Sequence, residues 1–114
     1  MLLTAEQLKA RPSFPYEDVP VPEFGGEVRM RAWTGEEFDQ FGKAVADVKL
    51  DGDLYALAVA MSAVSESGEK LYDAETGASQ VKATWLKTSL EAAYDAIRRM
   101  NKLGKEGLED ALKN

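Results

Sequence analysis

The chain has 114 residues, of which 14 are basic and 20 acidic, for a net charge of -6, and it contains neither Cys nor His. Those two absences remove disulfides, thiol nucleophiles, imidazole bases and the usual zinc ligands together, so no cofactor or metal is expected. The basic residues after Val81, namely Lys82, Lys87, Arg98, Arg99, Lys102, Lys105 and Lys113, form a mild cluster on an acidic chain, not the basic stripe that nucleic-acid binding uses.

The length leaves room for one domain, residues 1–114, around one modest core. The N-terminus lacks the basic and long apolar regions of a secretory signal, which predicts a protein that stays in the cytoplasm. Thr4-Ala5-Glu6-Gln7 has the spacing of a capping box and predicts a short helix. It ends by Arg11, because Pro12 pushes the residue before it out of helical geometry. Prolines at 12, 15, 20 and 22 then forbid helix, and Tyr16 to Val21 reads as an irregular edge strand. Glu23-Phe24-Gly25-Gly26 is a turn signal, both glycines being free to take positive φ. Glu27 to Trp33 alternates, with Val28, Met30 and Ala32 on one face and Arg29, Arg31 and Trp33 on the other, so it reads as the second strand of a hairpin. Val19 and Val21 share its buried face. A lone hairpin is marginal in water and must lie on helices or pair with a further strand.

Thr34-Gly35-Glu36-Glu37 is a second capping box and opens a helix running to near Val48. Phe38, Phe41, Val45 and Val48 give it a narrow apolar stripe, expected to pack on a central helix. Lys49 to Asp53 connects the two, with Asp51 or Asp53 available as a cap. Leu54 to Val64 is apolar nearly all round, which marks a buried helix too short to cross a membrane. Ala56, Ala58, Ala60 and Ala63 allow close approach, while Leu54, Leu57, Met61 and Val64 supply bulk on one stripe. Ser65 to Lys70 reads as a turn, Leu71 and Tyr72 as a short extended piece, and Asp73 to Ser79 as a surface loop before a short helix over Gln80 to Leu86. Thr88-Ser89-Leu90-Glu91 is a third capping box, for a last helix that buries Leu90, Ala93, Tyr94, Ile97 and Leu103 and stops at Gly104. Lys105 to Asn114 predicts a short amphipathic turn through Leu108, Ala111 and Leu112. The fold class is α+β: a mainly helical single domain with an N-terminal β-hairpin packed on the helices.

Few residues invite a chemical reading. Asp51-Gly52-Asp53 lacks the spacing of a calcium loop, whose fifth position is Tyr55 here, and reads as solvated loop acid. Glu36, Glu37 and Asp39 have no nucleophile beside them and read as helix-capping charge. Gly25-Gly26 lacks the Lys and helix start of a phosphate loop. Five residues remain as candidate partner contacts. Phe24 stands at the hairpin tip; Trp33 is either an interface residue or, if the twisted strand end turns it inward, a core residue. Arg98, Arg99 and Lys102 are either a docking charge or the complement of a negative helix end.

The run Pro22-Glu23-Phe24-Gly25-Gly26-Glu27-Val28-Arg29-Met30-Arg31, followed by Trp33-Thr34-Gly35-Glu36, resembles the tail assembly chaperones of long-tailed bacteriophages and prophages. The order of parts is similar too: a Leu3-Thr4-Ala5-Glu6-Gln7 helix, the hairpin, the Thr34 helix start, then Ala58 to Tyr72 and Leu86 to Leu103. The chain departs from the pattern at Trp33, where Leu is more usual, and in the longer loop Asp73 to Ser79. The resemblance implies a non-enzymatic protein of the bacterial host cytoplasm, absent from the finished virion. It implies binding to the tape-measure protein, whose long helical chain it keeps soluble, and help in recruiting the tail-tube protein. A homo-oligomer is compatible with it, and neither nucleic acid nor a membrane is an expected partner. A structural virion component, such as a tail-completion or head-tail joining protein, is the competing expectation.

Overall fold

The computed structural model describes residues 1–103 and has the α+β architecture read from the sequence, with an antiparallel sheet near the N-terminus packed on helices. The first capping box closes as its spacing dictates: the Thr4 N–H donates to Gln7 Oε1 at 2.8 Å, and the Gln7 N–H donates to Thr4 Oγ1 at 3.3 Å. It opens α1 (Ala5–Lys9), which buries none of its residues. β1 (Tyr16–Val21) and β2 (Gly26–Arg31) form the hairpin, with Val19 opposite Val28 and Tyr16 opposite Arg31. Val19, Val21 and Met30 are buried on the helical side. Between the strands Pro22–Phe24 makes a 3-10 turn and Gly25 takes a left-handed φ of 75°. Gly26 already belongs to β2, so only one of the two glycines needs positive φ.

The Thr34 box opens α2 (Gly35–Val45), which stops short of Val48. Phe41 and Val45 are buried but Phe38 is 45% exposed, so the apolar stripe is narrower than its spacing implies. α3 (Asp51–Ser62) begins at Asp51, not Leu54, and neither Asp51 nor Asp53 caps it; both sit in its first turn, where negative charge suits the positive helix end. The helix also stops early. Ala63–Val64 become β3, pairing with Met30 and Arg29 of β2, so the sheet order is β1-β2-β3. Gly68, at φ 90°, then reverses the chain, and Lys70 and Leu71 run back beside β3, with the Leu71 N–H donating to the Ala63 carbonyl at 3.1 Å.

α4 (Gly77–Thr84) starts inside the stretch read as a loop. Asp73 organises its entry, accepting from the N–H groups of Glu75 and Thr76 at 2.8 and 2.7 Å and from the Thr76 hydroxyl at 2.8 Å. These donors, Thr76 first, hold its carboxyl below the usual range. Gly77 is buried because α4 lies tight on α3: a Cβ there would sit 2.7 Å from Tyr72 Cβ and 3.3 Å from Ala60 Cβ.

α5 (Lys87–Met100) begins at Lys87 with Leu86 at the cap position, so the Thr88 box does not form. The cap comes from the hairpin instead: Glu23 accepts the Leu86 N–H at 2.6 Å and the Ser89 hydroxyl at 2.7 Å. At the other end Lys102 takes the left-handed conformation, φ 54°, expected of Gly104. Leu103 N–H donates to the Arg98 carbonyl at 2.9 Å and Lys102 N–H to the Arg99 carbonyl at 3.3 Å, the paired bonds of a Schellman ending. Gly104 itself and the turn expected over Lys105 to Asn114 lie outside the described residues.

α3 is the centre of the core, packed most closely on α4 and α5 and more sparingly on α2. Its small side chains are the buried ones: Ala56, Ala58 and Ala60 are inside with Val59, while Leu57 and Met61 are half-buried. Part of the bulky stripe expected in the interior thus lines the surface between α2 and α4. No helix among the described residues is long and apolar enough to cross a membrane.

Candidate functional site

The candidate contacts fall in two places. Phe24 is 58% exposed at the hairpin tip, with its ring 6.2 Å from Trp85, beside the start of α5. Arg98, Arg99 and Lys102 lie at the other end of this 14-residue helix, about 20 Å away at 1.5 Å per residue. Arg99 pairs with Glu17 of β1 at 2.8 Å, and Arg98 lies 3.4 Å from Asp95. Trp33 is near this second end. It lies just past β2, where its N–H donates to Asn101 Oδ1 at 2.8 Å and its indole N–H donates to Ser62 Oγ at 2.7 Å. Its ring stands 4.7 Å from Phe41, so the half-buried side chain points into the junction of α2 and α3.

An apolar groove runs along α3 between α2 and α4. It consists of two hollows that share Leu57 and Ala78. One, of about 330 Å³, is lined by Leu57, Ala60, Met61, Tyr72 and Ala78 with Gln40 above. The other, of about 270 Å³, is lined by Ala44, Val48, Ala56, Leu57 and Ala78. An ion pair stands at each end: Glu37 with Lys70 at 2.6 Å, and Asp53 with Lys82. The sequence pattern hides this groove, since Leu57 and Met61 read as interior. A signal was nonetheless present: a helix apolar on every side needs more neighbours than so few helices supply.

Glu37 ties the groove to the rest of the fold. It completes the capping box by accepting the Thr34 N–H at 2.9 Å, and it accepts two bonds from Arg31 Nη2, at 3.0 and 2.8 Å. Lys70 Nζ reaches both Glu37 and the Met61 carbonyl at the end of α3. Burial pushes the Glu37 carboxyl up, but Lys70, the Thr34 N–H and Arg31 together outweigh it and bring it down to about 2. Glu37 therefore acts as a cap and a bridging anion.

A third hollow, of about 280 Å³, lies on the outer face of the sheet among Arg11, Phe14, Tyr16, Arg29 and Arg31. Two of its arginines are committed elsewhere: Arg29 stacks on Tyr16 and pairs with Asp18, and Arg31 stacks on Phe14 and pairs with Glu37. Among the described residues no group of three or more Asp and Glu side chains is placed to hold a metal. The arrangement is suited to covering apolar surface.

No protein-family model matches the chain, and no curated protein matches it in sequence. Among solved structures the bacteriophage HK97 tail assembly chaperone is similar, with a TM-score of 0.55 at 17% sequence identity, over 77% of this chain and 87% of that one. The chain is thus built on the fold of a phage tail assembly chaperone.

Proposed function

We propose that the protein is a non-enzymatic phage tail assembly chaperone. On this reading it works in the cytoplasm of the bacterial host, binds the tape-measure protein, keeps that long helical chain soluble, helps recruit the tail-tube protein and is left out of the finished virion. The observation that carries the proposal is the fold shared with the HK97 tail assembly chaperone across most of both chains. The apolar groove is compatible with it, because a chaperone for amphipathic helices needs accessible apolar surface within a soluble, acidic exterior.

Co-expression with the tape-measure protein of the same phage tests the proposal. Recovery of a soluble complex, with the tape measure insoluble when expressed alone, is the expected result. An insoluble, unbound tape measure beside well-folded chaperone would remove the proposal. Mass spectrometry of purified particles separates it from the virion-component reading, which requires the chain to be present in stoichiometric amount.

A further inference from the structure

We infer that the outer face of the sheet is a self-complementary interface at which two copies of this chain pair about a two-fold axis. Strand alternation sorts the hairpin into two faces. Val19, Val21 and Met30 lie on the inner one, where α3 and α5 pack. The outer one carries Tyr16 and Asp18 from β1, Glu27, Arg29 and Arg31 from β2, and Val64 from β3 opposite Arg29. The hollow among the arginines adjoins a fourth, of about 420 Å³, lined by Asp18, Glu27 and Leu71, and both hollows share Arg29, Val64 and Glu66. Glu27 and Arg31 stand four residues apart on β2, about 13 Å. The face therefore has an acidic end, a basic end and a middle where Arg29 and Glu66 supply one charge of each sign.

The uncommitted charges identify the partner. Asp18 with Arg29 and Glu37 with Arg31 are paired internally. Among the described residues, Arg11 at the basic end and Glu27 at the acidic end have no ion-pair partner. A Cβ at Gly68 would lie 3.6 Å from Arg11 Nη2, which places that guanidinium at the rim of the basic hollow. A surface that offers an acid to Arg11 and a base to Glu27 is the same face turned end for end. A two-fold axis lying between the faces and crossing β2 near Arg29 exchanges the ends, so Arg11 of each copy meets Glu27 of the other and the contact occurs twice. Each end also carries an exposed apolar side chain, Tyr16 at 57% and Leu71 at 51%, that pairing takes out of water. The net charge of -6 repels two copies, but at physiological ionic strength charges more than about 8 Å apart are screened, so the facing pairs decide. The three strands cover only about 20 by 14 Å, less than a standard interface, so the dimer is a weak one. None of this rests on the chaperone reading.

Sedimentation equilibrium of the full-length chain, taken up to about 1 mM, tests the inference and is expected to show a reversible monomer–dimer equilibrium. Methyl NMR on the same dilution series gives location, with Val64 and Leu71 expected to shift. Arg11→Glu and Glu27→Arg, both at exposed positions, should each weaken the dimer about tenfold or more, because both copies of the contact turn repulsive. In a mixed dimer of the two variants each contact again joins an acid to a base, so an equimolar mixture should recover the affinity of the natural chain. Circular dichroism melts check that both variants fold; if a reversal does not, Arg11→Gln or Glu27→Gln, which neutralises the same contact, is scored for loss of affinity in its place. A chain that stays monomeric to the highest concentration would overturn the inference. So would a dimer indifferent to these substitutions, folded reversal variants that do not recover on mixing, methyl shifts confined to the α3 groove or the hairpin tip, or assembly that continues past the dimer, since a two-fold contact closes on itself.

Discussion

Trp33 shows how a single side chain changes meaning once its neighbours are known. On a flat strand it faces away from Val28 and Met30, but it lies beyond the end of β2, where its ring meets Phe41 and its indole N–H donates to Ser62. Trp33→Ala should therefore cost about 3 kcal/mol in urea unfolding, toward the lower part of the range for core aromatics since the residue is only half-buried. A variant of unchanged stability that lost only partner binding would return Trp33 to the contact role. For Glu37 the sign of the pH effect is fixed by its lowered folded-state pKa. The ordinary value is 4.5 and the folded one about 2, so its contribution is full above pH 4.5 and is lost as pH falls from there toward 2. Denaturation midpoints measured across that window should fall for the natural chain and fall less for Glu37→Gln. At Lys102 the left-handed backbone makes glycine the better residue, and Lys102→Gly should raise stability by about 0.5 kcal/mol, read from the same urea curves. The capping roles of Thr4, Thr34 and Glu37 were legible in the sequence because each depends on residues three apart. The left-handed Lys102 was not, since nothing local forbids the helix from reaching the more obvious glycine.

At the scale of elements, the hairpin tip holds the start of α5. Gly25 lets the 3-10 turn close, and Glu23 is carried to Leu86 and Ser89, 63 and 66 residues away in sequence. Desolvation pushes the Glu23 carboxyl up, but the Ser89 hydroxyl, the Leu86 N–H and its own backbone N–H together hold its pKa below the ordinary value. Glu23→Ala should speed amide hydrogen exchange at Leu86 and through the first turn of α5 while leaving α2 and α3 unchanged, and Glu23→Gln should lie between. Exchange that stayed slow would mean that the Thr88 box forms when needed. The packing of α4 on α3 has its own sensitive point: Gly77→Ala should cost about 1–3 kcal/mol in urea unfolding, because neither Tyr72 Cβ nor Ala60 Cβ can swing aside. The hairpin and the helical stretches could be read from periodicity, but two elements could not. Ala63–Val64 continue the apolar helix pattern without a break, and only pairing with β2 makes them a strand. The start of α4 was hidden because a glycine used for close packing looks like a glycine used for a turn.

At the scale of the molecule, the fold class was legible and the groove was not. Apolar character along α3 says that the helix avoids water, but which of its faces lacks a neighbour depends on where α2 and α4 settle. The chaperone reading accordingly draws on the whole arrangement, not on a cluster of reactive groups. That arrangement hinges on a junction with no loop in it: α3 ends at Ser62 and β3 begins at Ala63, while Lys70 covers the Met61 carbonyl that the change of direction frees. Helix phase and strand register are therefore geared to one another. An added residue at this joint would rotate α3 by about 100° against the sheet, carrying Leu57 and Met61 off the groove floor. Related chains should accordingly keep the distance from groove to sheet free of insertions and deletions, and keep small side chains at the buried Ser62 and Ala63.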